Sequence, residues 1–284
     1  MSSALASGEA AKVGLAPAIR LLISDIDGTL VTPDKVLTPA AIAAVQRLGA
    51  AGIGFSIVSA RPPRGMASVA AALKVCLPFA AFNGGSLVEP DLRLISALRL
   101  APEAARAALA LLAARGVEAW VFADETWRLL DPHGAEVTRE RHTVGFDPTV
   151  VRDFEDVILR IDKIVAVSDH PAKLAAVEAD MRARLGDTAI AQRSQAYYLD
   201  ITPPGADKGH AVRAICERAG VTLDNTAVIG DMGNDIAMFR MAGLSIAMGQ
   251  APDAVRAAAK LSTAANTEDG FAMAVDRFIL PVAP

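Results

Sequence analysis

The stretch Asp25-Ile26-Asp27-Gly28-Thr29-Leu30 directly follows a short apolar run, residues 19–24 (IRLLIS). An apolar run that ends in a carboxylate is typical of a buried strand leading into a polar loop. Gly28 allows a sharp turn at this point. Both carboxylates can then reach one site just beyond the strand. The alternative is an ordinary turn, because Asp, Gly and Thr all favour turns.

Apolar runs alternate with alanine-rich helical segments, which predicts an α/β fold with a parallel sheet. Three further runs end in polar residues: 54–58 before Ser59, 79–82 before Asn83, and 226–229 before Gly230 and Asp231. Thr38 and Pro39 are the cap and first-turn residues of a predicted helix that stops near Gly52. Because the carboxyl ends of parallel strands line one crevice, these polar residues are expected to converge there.

The middle of the chain differs in composition, because both tryptophans and both tyrosines lie between residues 120 and 198. Strand-like runs (119–123, 163–167, 197–201) alternate there with helical segments (102–115, 171–185). We predict a parallel-sheet domain formed by residues 19–86 and 202–284. A second α+β domain, residues 87–201, is inserted into it, and residues 1–18 form a flexible tail.

The overall composition indicates a globular protein. The chain has 284 residues, 52% of them hydrophobic, and a formal net charge of −4. The lack of a basic excess argues against nucleic-acid and anionic-membrane partners. The tail lacks the pattern of a signal peptide, and no apolar run is long enough to span a bilayer. A cytoplasmic location and two free thiols, Cys76 and Cys216, are therefore expected.

The acidic residues suggest chemistry on phosphate esters. In Asp25-Ile26-Asp27, one carboxylate can attack phosphorus while the other transfers protons. Asp231 and Asp235 are four residues apart, and with Asn234 they offer the hard oxygens that Mg²⁺ prefers. Asp231 or Asn234 could instead merely cap the helix that follows.

Positive charge is needed where these carboxylates meet. Four carboxylates around one crevice repel one another unless a cation lies among them. A divalent metal together with Lys208 supplies that charge, and the hydroxyl of Ser59 can bind a phosphoryl oxygen. Taken alone, Ser59 fits a turn residue and Lys208 a solvated lysine, so the argument depends on the combination.

The four motifs together resemble the haloacid-dehalogenase-like superfamily. The Asp25–Leu30 stretch is similar to its first motif, Ser59 to its second, Lys208 to its third, and Gly230–Asp235 to its fourth. Asn83-Gly84-Gly85 and Ala247–Ala251 resemble stretches of its Cof-type sugar-phosphatase-like branch. That branch usually has Thr-Gly-Arg in the second motif, where this chain has Ser59-Ala60-Arg61. The resemblance extends from about Arg20 to the C-terminus.

The resemblance implies a Rossmann-like core, an inserted cap, and a role for each matching residue. Asp25 is then the nucleophile and a metal ligand, Asp27 is the acid/base with its backbone carbonyl on the metal, and Asp231 is the third ligand. The remaining implied roles are supporting ones for Thr29, Asn234 and Asp235, and substrate contacts for Arg61, Asn83 and Gly84. An aspartate at position 27 indicates a phosphatase or a phosphomutase.

The cap is expected to select the substrate, a small phosphorylated metabolite such as a sugar phosphate or cofactor. The candidates for contact are Trp127, Arg128, Arg139, Arg141 and His142. For each of them a structural or solvent-exposed role is favoured. Trp120 and Phe122 are expected in the cap core, and Arg139, Glu140 and Arg141 in a solvated charge cluster.

Three alternatives to a phosphatase stay open from the sequence. A phosphomutase of the same superfamily would return the phosphoryl group to the sugar. A glycosyltransferase could bind metal through Asp25 and Asp27, but Lys208 and the second acidic motif would then have no role. A binding protein with a decayed site is disfavoured because every catalytic residue type is present.

Overall fold

The computed structural model describes residues 18–134 and 136–280. The predicted tail lies outside the described residues except for Ala18. The carbonyl of Ala18 accepts a hydrogen bond from the side chain of Asn225, with 2.8 Å between the atoms. No helix in the described ranges is long and apolar enough to cross a membrane.

The core contains a five-stranded, fully parallel sheet in the order β14-β13-β12-β1-β2. Its strands are β1 (Leu21–Ser24), β2 (Gly54–Ile57), β12 (Thr226–Gly230), β13 (Leu244–Ala247) and β14 (Leu261–Ser262). Strand β1, which lies between β12 and β2, is completely buried, as expected for a sheet covered by helices on both faces. The carboxyl ends of β1 and its neighbours all lie at one edge, which confirms the predicted α/β architecture.

A three-stranded antiparallel sheet extends this core. It contains β3 (Phe79–Ala81), β4 (Ser86–Val88) and β5 (Leu94–Ala97). Strand β3 was predicted as a full member of the parallel sheet, but a single bridge between Val58 and Ala80 joins it there. The strand ends because Phe82 and Asn83 adopt positive φ angles of 51° and 58°.

The cap is built on a separate six-stranded, mostly antiparallel sheet in the order β10-β11-β9-β6-β7-β8. Its strands are β6 (Glu118–Ala123), β7 (Thr126–Leu129), β8 (Thr149–Val150), β9 (Ile161–Val167), β10 (Ile190–Gln195) and β11 (Tyr198–Thr202). Trp120 and Phe122 are fully buried against one face of this sheet, together with Trp127. The expectation that Trp120 and Phe122 lie in the cap core is therefore confirmed.

Nine α-helices lie on these sheets within the described ranges. They are α1 (Pro39–Ala50), α2 (Pro63–Ala72), α3 (Pro102–Ala114), α4 (Val137–Val144), α5 (Pro171–Leu185), α6 (Lys208–Ala219), α7 (Ile236–Phe239), α8 (Asp253–Ala258) and α9 (Gly270–Ala274). The predicted start of α1 is confirmed, because the hydroxyl of Thr38 accepts from the backbone of Ala41 and Pro39 opens the helix. Helix α4 was not predicted.

The hydrophobic clusters follow the two sheets. One cluster runs from Leu100 to Ile201 and fills the space between the cap sheet and helices α3 and α5. Leu87 packs instead with core residues such as Leu21 and Val212. The exact domain boundary stays a prediction, and this packing favours a first boundary nearer Leu100 than Leu87.

Candidate active site

A cavity lies between the carboxyl edge of the parallel sheet and the cap. The lining residues from the core are Asp25, Asp27, Lys35, Ser59, Ala60, Arg61 and Asn234, and those from the cap are Glu140, Thr143, Lys163, Val165, Ser194, Gln195, Tyr197 and Tyr198. The residues predicted from three of the four motifs thus meet in one place. The convergence follows from the sheet, because loops distant in sequence begin at adjacent strand ends.

Lys208 lies beneath the cavity and bridges two motifs. Its ammonium is 2.7 Å from an oxygen of Asp25 and 2.5 Å from an oxygen of Asp235. All three side chains are buried. Burial alone would lower the pKa of Lys208, but Asp235 and Asp25 raise it above its usual value. The lysine therefore remains a cation. Lys208 is the first residue of α6, directly after the capping residue Asp207, and we interpret this position as the feature that fixes its side chain in place.

Asp25 lies immediately after β1, and its backbone N–H bonds to the carbonyl of Ile229 on β12 at 3.0 Å. Burial raises the pKa of Asp25 to about 7, although the neighbouring Lys208 lowers it. Carboxylates of Asp235 and Asp27 raise it further. Among the described residues, Lys208 is the one cation paired with Asp25 and Asp235.

The carboxylates are arranged as a cation site. Oxygen atoms of Asp25, Asp231 and Asp235 lie within 4.8 Å of one another. One oxygen of Asp231 is buried and has no hydrogen-bond partner in the described structure. Burial, together with Asp25 and Asp235, raises the pKa of Asp231 well above its usual value. An oxygen-lined, electron-rich site with an unused ligand atom fits Mg²⁺.

Asp235 differs from the other two carboxylates because its oxygens are already bound. One accepts from Lys208, and the other accepts from the backbone N–H groups of Asp231 and Met232, both at 2.8 Å. Asp235 therefore organises the loop that carries Asp231. Gln250 also supports this loop, since its amide donates to the carbonyl of Gly28 at 2.6 Å and lies 3.5 Å from Asp231. Sequence reasoning gave no individual role to Gln250.

The side chain of Asp27 is held by two cations. Arg61 binds it with two parallel hydrogen bonds of 2.7 and 2.8 Å, and Lys35 contributes a third at 2.7 Å. Burial alone would raise the pKa of Asp27, but Arg61 and Lys35 hold it below the usual range. Arg61, predicted to contact substrate, therefore lines the cavity while bound to Asp27. Lys35 was missed because nothing in its local sequence distinguishes it from a surface lysine.

Ser59 and Thr29 are both buried at the carboxyl edge. The hydroxyl of Ser59 accepts from the backbone N–H of Arg61 at 3.2 Å and lines the cavity. The hydroxyl of Thr29 has no partner among the described residues. Ser59 thus shares the cavity with Asp25 and Asp27, and the segments that contain Thr29 and Ser59 follow the adjacent strands β1 and β2.

Asn83 and Gly84, the other predicted substrate contacts, do not line the cavity. The amide of Asn83 donates to Asp200 of the cap and accepts from Asn234, with both distances 3.0 Å. Its amide therefore connects cap and core, and a contact with substrate stays a prediction. Gly84 supplies the φ of 100° that the turn requires.

The five cap residues proposed from sequence lie outside the cavity. Trp127 is buried in the cap core, and Arg128, Arg139 and Arg141 pair with Asp156, Glu136 and Asp147. The ring of His142 is 3.4 Å from the carbonyl of Asp34. Among the expectations for the cap residues, the structure contradicts the assignment of Glu140 to a solvated cluster. Helix α4 places it on the buried side with Val137 and Val144, so it lines the cavity.

A family model described as haloacid dehalogenase-like hydrolase matches residues 22–275. The chain belongs to this family. The match covers the core motifs and the whole cap, so the resemblance seen in the motifs is confirmed. Fold class and enzyme superfamily follow from the same finding.

Relatives align with this haloacid dehalogenase-like hydrolase over nearly their full length. It is 28% identical over 260 residues to a putative phosphatase of Haemophilus influenzae, covering 90% of this chain and 97% of that protein. It is 27% identical over 271 residues to the pyridoxal phosphate phosphatase of Escherichia coli, covering 89% and 96%. A crystal structure of a haloacid dehalogenase-like hydrolase from Bacteroides thetaiotaomicron aligns with a TM-score of 0.80 and 26% identity, covering 91% and 99%. The predicted phosphatase class is confirmed.

Gly28 tests the geometry of the acidic site. Its φ is 81°, and a Cβ added there would overlap the carboxylate of Asp231. We expect Gly28→Ala to displace Asp231 and lower phosphatase turnover by on the order of 10²-fold, the usual effect of misplacing a site group by about 1 Å. The measurement is phosphate release by the folded variant, checked by circular dichroism.

Gly52→Ala is the matched control. Gly52 has a φ of 73° but open space around the position of a Cβ, so it carries the same backbone strain without the overlap. Turnover of this variant should stay close to that of the wild type. If both variants lost turnover equally, backbone strain and not displacement of Asp231 would explain the loss.

Proposed function

We propose that this protein is a Mg²⁺-dependent phosphatase that hydrolyses a small phosphate monoester through a phosphate covalently bound to Asp25. The observation that carries the proposal is the crowding of Asp25 and Asp231, with one buried cation, Lys208, and an unpartnered oxygen on Asp231. Such a site attracts a divalent cation and, with it, an anionic phosphoryl group.

The first step forms a bond from an oxygen of Asp25 to phosphorus and breaks the bond from phosphorus to the leaving-group oxygen. That oxygen takes a proton from Asp27. In the second step water attacks phosphorus, Asp27 accepts a water proton, and the bond to Asp25 breaks to give inorganic phosphate. Asp25, Asp231 and the backbone carbonyl of Asp27 would hold Mg²⁺, which supplies charge compensation for the phosphoryl oxygens.

The contacts of Asp27 suit the second step directly, because Arg61 and Lys35 keep it as a carboxylate. The first step requires a proton on Asp27, which these two cations oppose. A phosphate ester in the cavity offers both cations another anion to bind. We therefore propose that substrate binding draws Arg61 or Lys35 away from Asp27 and so makes its protonation easier.

The leaving group comes from a phosphorylated small molecule. One of the similar proteins supports this inference, because its name, pyridoxal phosphate phosphatase, gives a phosphorylated cofactor as its substrate. A mutase would instead retain the phosphoryl group on organic product. Quantitative release of inorganic phosphate from the ester separates the two activities.

Removal of metal should abolish activity, because the carboxylates would then repel the phosphate. We expect phosphate release to fall to background in excess chelator and to return with added Mg²⁺. Asp231→Asn should raise the Mg²⁺ concentration needed for half-maximal activity, whereas Asp224→Asn, at an exposed position before the same strand, should not. Undiminished hydrolysis in chelator would contradict the proposal.

Asp25 should carry phosphate during turnover. Trypsin releases it in the peptide 21–35, which contains three aspartates: Asp25, Asp27 and Asp34. After an acid quench, mass spectrometry should find this peptide heavier by one phosphoryl group and fragmentation should locate it on Asp25. Asp25→Asn should be inactive and unlabelled. A label on Asp27 or on any serine would refute the assignment of the nucleophile.

Replacing Asp27 should impair proton transfer more than metal binding. We expect Asp27→Asn to lower kcat by on the order of 10² to 10⁴-fold, the usual contribution of a general acid/base. The Mg²⁺ requirement, measured by titrating activity, should change little because the backbone carbonyl is kept. Normal kcat at saturating Mg²⁺ with weakened metal binding would instead make the Asp27 side chain a ligand.

A further inference from the structure

Glu140 is a buried carboxylate of the cap that the proposed chemistry does not use. It lies in the middle of α4, and only 6% of its surface is exposed. The adjacent Thr143 accepts a hydrogen bond from Arg61 through its carbonyl at 2.9 Å, so this part of α4 lies directly against the catalytic loops. The side chain of Glu140 lines the same cavity as Asp25 and Asp27.

The carboxylate of Glu140 has no ion pair or well-formed hydrogen bond among the described residues. Its helix neighbours Arg139 and Arg141 turn outward and pair with Glu136 and Asp147. The hydroxyl of Tyr198 lies close enough to interact with Glu140, although that hydroxyl has no hydrogen bond of normal geometry among the described residues. A carboxylate accepts hydrogen bonds at two oxygens, so Tyr198 alone leaves Glu140 incompletely bonded, and the site is better explained by a further donor that arrives with the substrate.

The charges around Glu140 restrict that partner. Burial raises the pKa of Glu140 to about 7, although Lys163 lowers it. Lys163, Arg61 and Lys35 also line the cavity, and an ammonium group on the substrate would meet these cations. A hydroxyl group is neutral and can donate to Glu140 in either protonation state. The cavity also presents Ser194 and Tyr198, which can bond to further hydroxyl groups.

We infer that Glu140 is a specificity residue that accepts a hydrogen bond from a hydroxyl group of the leaving group. This inference rests on the proposed phosphatase function and adds the cap residue that distinguishes one leaving group from another. A site built to bond a hydroxyl rejects analogues that lack it, because its own polar groups are left unpaired. The discrimination is therefore expected to appear in kcat/KM.

The test compares esters that differ in hydroxyl groups. Phosphate release is measured for glycerol 1-phosphate and ribose 5-phosphate, and for n-propyl phosphate and p-nitrophenyl phosphate, which carry no hydroxyl on the leaving group. The wild type should prefer the hydroxylated esters. Glu140→Leu should lower kcat/KM for them by about 10- to 100-fold, mainly through KM, the size expected for a hydrogen bond to a charged group. The other two esters should change by less than about threefold.

Two further variants make the result specific. Glu140→Gln keeps one acceptor oxygen and should give an intermediate loss, which also covers the case in which the leucine variant misfolds. Glu178→Gln changes a similarly buried cap carboxylate that is paired with Arg182 and Arg193 outside the cavity, and should leave the ranking of the esters unchanged.

Ethanolamine phosphate, which has an ammonium group in place of a hydroxyl, is measured as a fifth ester with the wild type. Three outcomes would overturn the inference while leaving the phosphatase intact: an equal loss for the other four esters in Glu140→Leu, no change in their ranking, or a wild-type preference for ethanolamine phosphate over glycerol 1-phosphate. Failure of the wild type to release phosphate from any ester in Mg²⁺ would instead contradict the proposed function itself.

Discussion

The buried contact of Lys208 with Asp25 and Asp235 is the interaction on which the rest of the site depends. It joins a helix N-terminus to two strand ends, and it places one cation below several carboxylates. Removing that cation would leave buried, uncompensated negative charge, which is strongly unfavourable. Negative charge remains in excess around Asp25 and Asp231, and one oxygen of Asp231 has no partner among the described residues. Structural cohesion and affinity for a cation therefore have the same physical origin.

The parallel sheet brings the motifs together at one edge. The first, second and fourth motifs each follow a strand of this sheet, and Lys208 joins them from the start of α6. The cap adds the opposite wall of the cavity from an independent sheet, so the wall that contains Asp25 and the wall that contains Glu140 belong to separately packed structures. Under the proposed function, changes on the cap side would alter substrate choice while Asp25 and Lys208 keep their positions.

The core could be predicted from the sequence because its signals are local. The run before Asp25 indicates a buried strand, and Thr38-Pro39 indicates a helix start, since both depend on neighbouring residues alone. Lys208 was expected at the site only because the carboxylates of several motifs, brought to one crevice, require a nearby positive charge. Glu140 was assigned wrongly because its burial depends on how α4 docks over the cavity. In the sequence, the flanking Arg139 and Arg141 instead indicate a solvent-exposed segment. The partnership of Arg61 with Asp27 likewise depends on side-chain orientation, which no spacing rule encodes.

The hydrogen bonds of Asn83 restrict how such a protein can evolve. Asn83 is the middle of a buried hydrogen-bond network in which Asn234 donates to Asn83 and Asn83 donates to Asp200. Lys163 extends the network, since its ammonium lies 3.5 Å from Asp200 and 2.7 Å from the carbonyl of Ala60. Two of these groups belong to the cap and the others to the core. A foreign cap grafted onto this core would have to bring its own equivalents of Asp200 and Lys163. Modular exchange of caps is thus restricted by polar groups that never meet the reacting atoms.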